Sequence, residues 1–280
     1  MRQRHGDRSA GLRRPDEARD SRRKPLRQRP RPRRGAGDGP VLLYGWHTVT
    51  AAIDNPRRTI HRLLATENAA RRLAAEHAAR IAPEVVRPDV IAAQLPPEAV
   101  HQGLLAEADP LAAPGIGELG TDGIVLVLDQ ITDPHNVGAI LRSAAAFSVM
   151  AVVTTARHSP EATGVLAKSA SGGLEHVPIV EVGNLARGLE ALKERGFLVI
   201  GLDSAGTTDL AAAALRAPLA LVIGAEGRGL RQLTRTTCHE VARLDLPGRI
   251  KSLNVSNAAA LALYVASRQL AAPGATGSSR

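Results

Sequence analysis

The 280-residue chain has a single cysteine, Cys238. One thiol can build neither an internal disulfide framework nor a multi-cysteine zinc site. The expected place for Cys238 is a small core or near-surface position with no catalytic role. Aromatic residues are nearly as scarce, at 2%, which argues against a base-stacking surface rich in Phe and Tyr. Long apolar runs are missing too. No stretch approaches the roughly 18 residues that span a bilayer, and the N-terminus carries no hydrophobic signal region. The expected location is the cytoplasm.

Hydrophobic residues nevertheless make up 44% of the chain, so a sizeable core must be built from Ala, Val, Leu and Ile. That palette suits buried parallel strands flanked by alanine-rich helices. Charge is distributed unevenly. Residues 1–40 hold 14 Lys and Arg against 5 Asp and Glu, an excess equal to the whole net charge of +9. This Arg-, Gly- and Pro-rich segment cannot bury enough apolar surface to offset its ordering entropy, so a disordered tail is expected. It reads as a flexible arm on RNA phosphates, or as a plain solubilising tail. An Arg-rich mitochondrial presequence is opposed by Asp7, Asp16, Glu17 and Asp20.

Residues 41–110 read as a small α/β domain. VLLYG opens it as a strand, His47 to Ile53 fits a helix, IHRLLAT from Ile60 fits a strand, and Ala69 to Arg80 fits a helix. Residues 111–123 form a linker rich in Gly and Pro. From Ile124 the pattern changes. The runs at 124–128, 149–153, 197–202 and 218–224 are bounded by turn residues and separated by helical stretches. Such alternation predicts a parallel sheet covered on both faces. A strand at 241–244 and a largely apolar helix from Asn254 to Leu270 close the domain, and residues 271–280 read as a flexible end.

Within this domain, Asp133-Pro134-His135-Asn136 breaks the chain after the first strand, and Asn136 is the expected helix N-cap. Val137, Ile140, Leu141 and Ala144 form one apolar stripe. Arg142 falls nearly opposite, among Gly138, Ala139, Ala145 and Ala146. A lone guanidinium on a face without bulk suggests close approach of another backbone or a ligand; an ordinary solvated Arg is the alternative. GAEGRG follows the strand at 218–224, where glycine lets a backbone approach a ligand. It lacks the Lys-Ser/Thr of a P-loop and does not fit the dinucleotide pattern. Glu226 alone reads equally well as a helix-start acid. Ser252, Asn254 and Ser256 can all cap the last helix.

Taken in order, NVGAILRSAA from Asn136, IGAEGRGL from Ile223 and SLNVSNAAAL from Ser252 resemble the three motifs of the SpoU (TrmH-type) RNA ribose 2′-O-methyltransferases. LYGWHTVTAAI from Leu43 and HQGLLAE from His101 resemble the RNA-binding domain that precedes the catalytic domain in bacterial 23S rRNA guanosine 2′-O-methyltransferases. The resemblance implies an open, mostly parallel α/β sheet with a C-terminal trefoil knot at 124–270, preceded by the RNA-binding domain at 41–110. It implies S-adenosylmethionine as cofactor, no metal, a homodimer, and RNA as partner in place of DNA or a membrane. Carried over residue by residue, Asn136, Arg142, Glu226, Ser252 and Asn254 form the catalytic and structural polar set, and Gly224, Leu244 and Leu253 contact the cofactor. A ribose 2′-oxygen attacks the activated methyl group in an in-line displacement. Since a guanidinium scarcely deprotonates, Arg142 is expected to hold a phosphate and stabilise the attacking oxygen, with the general-base role as the alternative. A tRNA ribose methyltransferase, or an RNA-binding protein with a degenerate knot, are the competing readings. A generic nucleotide-binding phosphotransferase is disfavoured by the missing P-loop lysine.

Overall fold

The computed structural model describes residues 39–77, 81–156 and 164–271. The expectations for the tail at 1–40 and the C-terminus at 271–280 fall almost wholly outside the described residues.

The N-terminal part contains β1 (Val41–Tyr44), α1 (Trp46–Asp54), β2 (Ile60–Ala65), α2 (Glu67–Glu76), β3 (Glu84–Val85), α3 (Pro88–Ala92) and β4 (Leu104–Ala108). The sheet order is β1-β4-β2-β3, with β4 antiparallel to both β1 and β2 and β3 parallel to β2. Alternation along the strands sends residues to two faces. Leu43, Leu63 and Leu104 join Val49 and Ile53 of α1 and Leu73 of α2. Tyr44, Leu64 and Leu105 pack on Ile91 of α3. The helix expected over 69–80 begins earlier, at Glu67, and its last three expected residues lie outside the described residues.

The second part contains β5 (Ile124–Asp129), α4 (Pro134–Ala146), β6 (Ala151–Thr155), α5 (Gly164–Ala170), α6 (Gly173–His176), β7 (Ile179–Val182), α7 (Leu185–Glu194), β8 (Leu198–Leu202), β9 (Thr208–Asp209), β10 (Leu219–Gly224), α8 (Gln232–Thr237), β11 (Glu240–Arg243) and α9 (Val255–Leu270). Seven strands form one sheet in the order β7-β6-β5-β10-β8-β11-β9. Every pairing in it is parallel, so the expected mostly parallel α/β sheet is borne out. Helices cover both faces, as the near-continuous apolar strands require. Ile124, Leu126 and Leu128 of β5 face α4, α5 and α9. Val125 and Val127 face α7 with Phe197, the largest fully buried side chain.

Two local differences from the sequence-based expectation have clear causes. The strand expected at 149–153 starts at Ala151, because Val149 and Met150 still close the turn: their amides bond to Ala144 O (2.9 Å) and Ile124 O (2.8 Å). The segment at 111–123 is fastened to the sheet domain. It contains a 3-10 turn at Ile116–Glu118, buries Leu119, and gives the carbonyls of Gly117 and Leu119 to the guanidinium of Arg195.

The C-terminal path is the feature that positions the site. From β10 in mid-sheet the chain passes through α8 to β11, on the far side of β8, and then returns to α9, which packs on α4 and β10. The connection from β8 to β10 is packed against both of these later elements. A Cβ on Gly206 would lie 2.5 Å from Ala242 C, and Gln269 of α9 donates to Leu210 O and Ala211 O at 3.0 Å.

Candidate functional site

Two strands end in the same pair of residues, Leu128-Asp129 on β5 and Leu202-Asp203 beside β8. Their carboxylates brace the glycine turn that follows β10. Gly224 is paired with Asp129 in the sheet register. The buried Asp129 side chain accepts from Arg231 N (3.0 Å) and Arg231 Nε (2.6 Å), fixing the exit of the turn. Asp203 accepts from Leu230 N (3.1 Å) and Ala205 N (2.9 Å) and pairs with Arg235 Nη2 at 2.6 Å. Burial alone would raise the Asp203 carboxyl, but these two amides and the guanidinium outweigh it and hold the carboxyl below its ordinary value.

Between the braces, Ala225 and Gly229 close an antiparallel bridge, with Gly229 N donating to Ala225 O at 2.9 Å. Gly229 has φ of 62°, in the left-handed region that favours glycine. Gly224 and Gly229 approach so closely that a Cβ on Gly224 would lie 2.2 Å from Gly229 C and O. Glu226 projects from this turn, exposed to solvent. It is not a helix-start acid, because α8 begins six residues later, at Gln232.

The first and third motifs meet at two helix starts. Asp133 caps α4, accepting from His135 N and Asn136 N at 3.2 Å each. Asn136 is therefore in the first turn and does not cap. Pro134 at the first helical position has no N–H and a preset φ, so the acceptor must stand before it. Freed from capping, Asn136 Oδ1 accepts from Asn254 Nδ2 at 3.0 Å. Asn254 is the cap of α9, its Oδ1 accepting from Ser256 N (2.9 Å) and Ser256 Oγ (2.6 Å). Ser256 thus supports the cap and is not itself the cap. Ser252 and Leu253, just before α9, are exposed, and Leu244, just after β11, is half-buried against the core.

Arg142 lies six residues beyond Asn136 on α4, about 9 Å along the helix axis. It is exposed, and neither it nor Glu226 nor Ser252 makes a side-chain hydrogen bond or ion pair among the described residues. The bulk-free face around it has a structural reason. A Cβ on Gly138 would lie 2.4 Å from Ser169 Cβ, so α5 crosses there, and Gly173 of α6 abuts Leu141 O and Arg142 N. Backbone is what approaches this face. The structure therefore brings Asn136 and Asn254 into contact and anchors Gly224 and Glu226 on a braced turn, while Arg142 and Ser252 are exposed with no side-chain partner among the described residues.

Sequence reasoning missed Asp129 and Asp203. The repeated Leu-Asp at the carboxyl end of two apolar runs was the available signal. Cys238 is half-buried with Sγ 3.2 Å from Thr234 O, and burial pushes its thiol up to about 12. A thiol so disfavoured as thiolate is no nucleophile. Among the described residues no cluster of His, Cys, Asp and Glu is arranged to hold a metal ion, and no helix is long and apolar enough to cross a membrane.

Residues 123–264, half of the chain, match the SpoU rRNA Methylase family. The chain belongs to the SpoU rRNA methylase family. Residues 42–114 of this SpoU methylase match a second domain, described as RNA 2′-O ribose methyltransferase substrate binding. It is 39% identical over 238 residues to the 23S rRNA (guanosine-2′-O-)-methyltransferase RlmB of Ralstonia nicotianae, covering 81% of this chain and 95% of that protein. It is 37% identical over 242 residues to a tRNA/rRNA methyltransferase of Synechocystis, of which it spans 62%. The fold is similar to that of the SpoU methyltransferase AviRb from Streptomyces viridochromogenes, solved with the cofactor AdoMet. The TM-score is 0.69 at 25% identity, over 82% of this chain and 90% of that one.

Proposed function

We propose that this SpoU methylase transfers a methyl group from S-adenosylmethionine to a ribose 2′-hydroxyl of 23S rRNA, at a guanosine. The observation that carries this reading is the match along 95% of the Ralstonia RlmB, supported by the contact of the first and third motifs through Asn136 and Asn254 and by the braced second-motif turn after β10. The residues fit the cofactor. Gly224 and Gly229 bring two backbone segments into contact with no side chain between them, and Leu244 and Leu253 offer partly exposed apolar surface. S-adenosylmethionine supplies an activated methyl group when bound, so no metal is needed.

The chain's own residues do the rest. Asn136 and Asn254 hold the starts of α4 and α9 in fixed relation, and Asp129 and Asp203 fix the turn that carries Gly224 and Glu226. Arg142, exposed and without a side-chain partner among the described residues, is placed to engage an RNA phosphate and to stabilise negative charge on the 2′-oxygen. Positioning of the ribose by this set supplies much of the acceleration.

Residues 41–110 are the RNA-binding domain in this proposal, 111–123 joins it to the catalytic domain at 124–270, and 1–40 is a basic arm on RNA phosphates. The return from β11 to α9 behind the packed 203–215 connection supports a trefoil knot in the catalytic domain. Exposed Ile250, Leu253, Leu261 and Tyr264, at 77%, 37%, 38% and 54%, support a homodimer formed around α9 and the third motif. Cytoplasmic residence follows from an rRNA substrate.

Mapping of ribose methylation in 23S rRNA and tRNA from cells lacking the protein tests the substrate. Loss of one 23S guanosine mark is expected; loss confined to tRNA would assign the enzyme to the tRNA branch, which the name of the Synechocystis relative leaves open beside rRNA. Calorimetric titration with S-adenosylmethionine separates an enzyme from a non-catalytic RNA-binding protein. A pH–rate profile of wild type and Arg142→Lys decides the role of Arg142. Activity loss with an unchanged apparent basic pKa is the outcome expected for a charge stabiliser.

A further inference from the structure

The two sheets are joined by more than the segment at 111–123. A buried ion pair, Arg58 with Glu175, crosses between them. Arg58 sits in the turn between α1 and β2, Glu175 on α6, and their side chains are only 4% and 2% exposed. Arg58 Nη2 donates to Glu175 Oε1 at 2.5 Å and Nε lies 3.2 Å from each carboxylate oxygen. Asn55 Nδ2 donates to Glu175 Oε2 at 2.7 Å, and Arg58 Nη1 donates to Asp109 O at 2.6 Å. Each charge is thus paired and hydrogen-bonded, the condition under which burial is tolerated.

The surroundings match. Thr48 of α1 donates to Ala167 O of α5 at 3.2 Å, and Lys168 of α5 donates to Gln102 at 2.7 Å. Gly172 admits α1 so closely that a Cβ would lie 2.8 Å from Ala51 Cβ. On their other side α5 and α6 are packed on α4, with Gly138 against Ser169 and Gly173 against the backbone of Leu141 and Arg142. One layer of two short helices therefore lies between the N-terminal sheet and the helix that carries Asn136 and Arg142.

We propose that Arg58 and Glu175 are positioning residues: they lock the substrate-binding domain to the α5–α6 layer, so that the distance and angle from its RNA-contacting surface to Arg142 are fixed in the free enzyme. Domains of one chain ordinarily move relative to one another unless a large apolar interface holds them; here Ala167 of α5 and Leu174 of α6 join the N-terminal core, and the desolvated, geometrically specific pair stops the motion that such a small apolar contact leaves. The enzyme then acts as a rigid ruler. It selects an RNA whose recognised structure and target ribose stand at one set separation, and it does not pay ordering entropy between its own halves on binding. The kinetic part of this inference rests on the rRNA methyltransferase reading; the structural part does not.

The test uses the full chain. Spin labels at Ala75→Cys on α2 and Glu194→Cys on α7, both exposed positions, in a Cys238→Ala background report the inter-domain distance distribution. Glu175→Gln removes the charge but strands a buried guanidinium, which can itself unfold the protein. The pair is therefore also replaced together, as Arg58→Met with Glu175→Leu, a change that removes both charges while filling the volume. In the folded double variant the distance distribution is expected to broaden. KM for a full-length 23S rRNA transcript is expected to rise severalfold, because the loosened halves then lose freedom on binding RNA, while kcat and the Kd for S-adenosylmethionine stay near wild type. An unchanged distribution overturns the proposal whatever the kinetics. So does a fall in kcat alone, which would make the pair a support of the motif face. If the wild-type enzyme methylates no 23S rRNA, the functional reading fails while the distance measurement still decides whether the halves are locked.

Discussion

Residue chemistry at this site is mostly about what is withheld. Gly224 carries no side chain because Gly229 and Leu230 occupy the space a Cβ would need, and two carboxylates supply the rigidity that two glycines cannot. Gly224→Ala is therefore expected to displace the 225–230 turn and to reduce S-adenosylmethionine affinity at least tenfold, read by calorimetry, with the circular dichroism of the sheet retained. Gly227, with φ of 73° but open space around it, makes the control. Its alanine variant meets only the left-handed backbone cost of roughly 1 kcal/mol and should bind the cofactor nearly normally.

Asp203 gives a prediction with a sign. Its folded-state pKa is depressed, so its contribution to stability is complete above the ordinary aspartate value of about 3.9. That contribution is lost as pH falls through the lower folded value. Asp203→Asn should flatten this part of the acid denaturation curve, while lowering stability at pH 7 by about 1.5–3 kcal/mol, the usual range for hydrogen bonds to a charged group. A wild-type-like acid limb in the variant would show that Asp203 does not carry the charge that secures Leu230 and Arg235.

Among the elements, α4 and α9 matter most, because their N-termini meet through one amide pair. Asn254 has two separable duties: its oxygen caps α9 and its nitrogen reaches Asn136. Asn254→Asp keeps the cap and removes the donor, so thermal stability is expected to hold while kcat falls. Asn254→Ala removes both duties and should also cost about 1 kcal/mol of cap energy, a few degrees in Tm. Equal activity in Asn254→Asp and wild type would remove the Asn136 contact from the mechanism. The small residues of α4 belong to this scale as well. Gly138 admits α5 and Gly173 admits α4, so the absence of bulk around Arg142 is a packing requirement, and the exposed guanidinium is what it leaves toward solvent.

For the molecule as a whole, charge and binding are separated in sequence. Residues 41–110, proposed to bind RNA, contain seven Arg against eight Asp and Glu, while 1–40 holds the entire net charge. Long-range attraction to phosphate must then come from the N-terminal segment, with the folded part supplying shape. Deleting residues 1–40 is expected to weaken RNA binding at low salt and to flatten the dependence of log K on log salt, which scales as roughly 0.7–0.9 per neutralised phosphate. Turnover on saturating RNA should change little. An unaltered salt slope would make the segment a solubilising tail.

The sequence alone determined the parallel α/β sheet, since strands buried on both faces must be apolar throughout and the helices between them striped. It also determined the order and spacing of three motifs, which local chemistry marks by Asn, Arg, Gly and Ser at turn and helix-start positions. Tertiary structure decided which of those residues meet. Asn136 reads as a helix cap until Pro134 moves that duty to Asp133 and frees the side chain for Asn254, 118 positions away. Asp129 and Asp203 read as ordinary strand-end acids until the β10 turn arrives between them, with Leu230 27 positions beyond Asp203 and Arg231 102 beyond Asp129. Glu175 and Arg58 carry no local pattern at all. Their pairing depends on α6 lying against α1, and a contact made only by packing leaves no periodicity in the chain to be read.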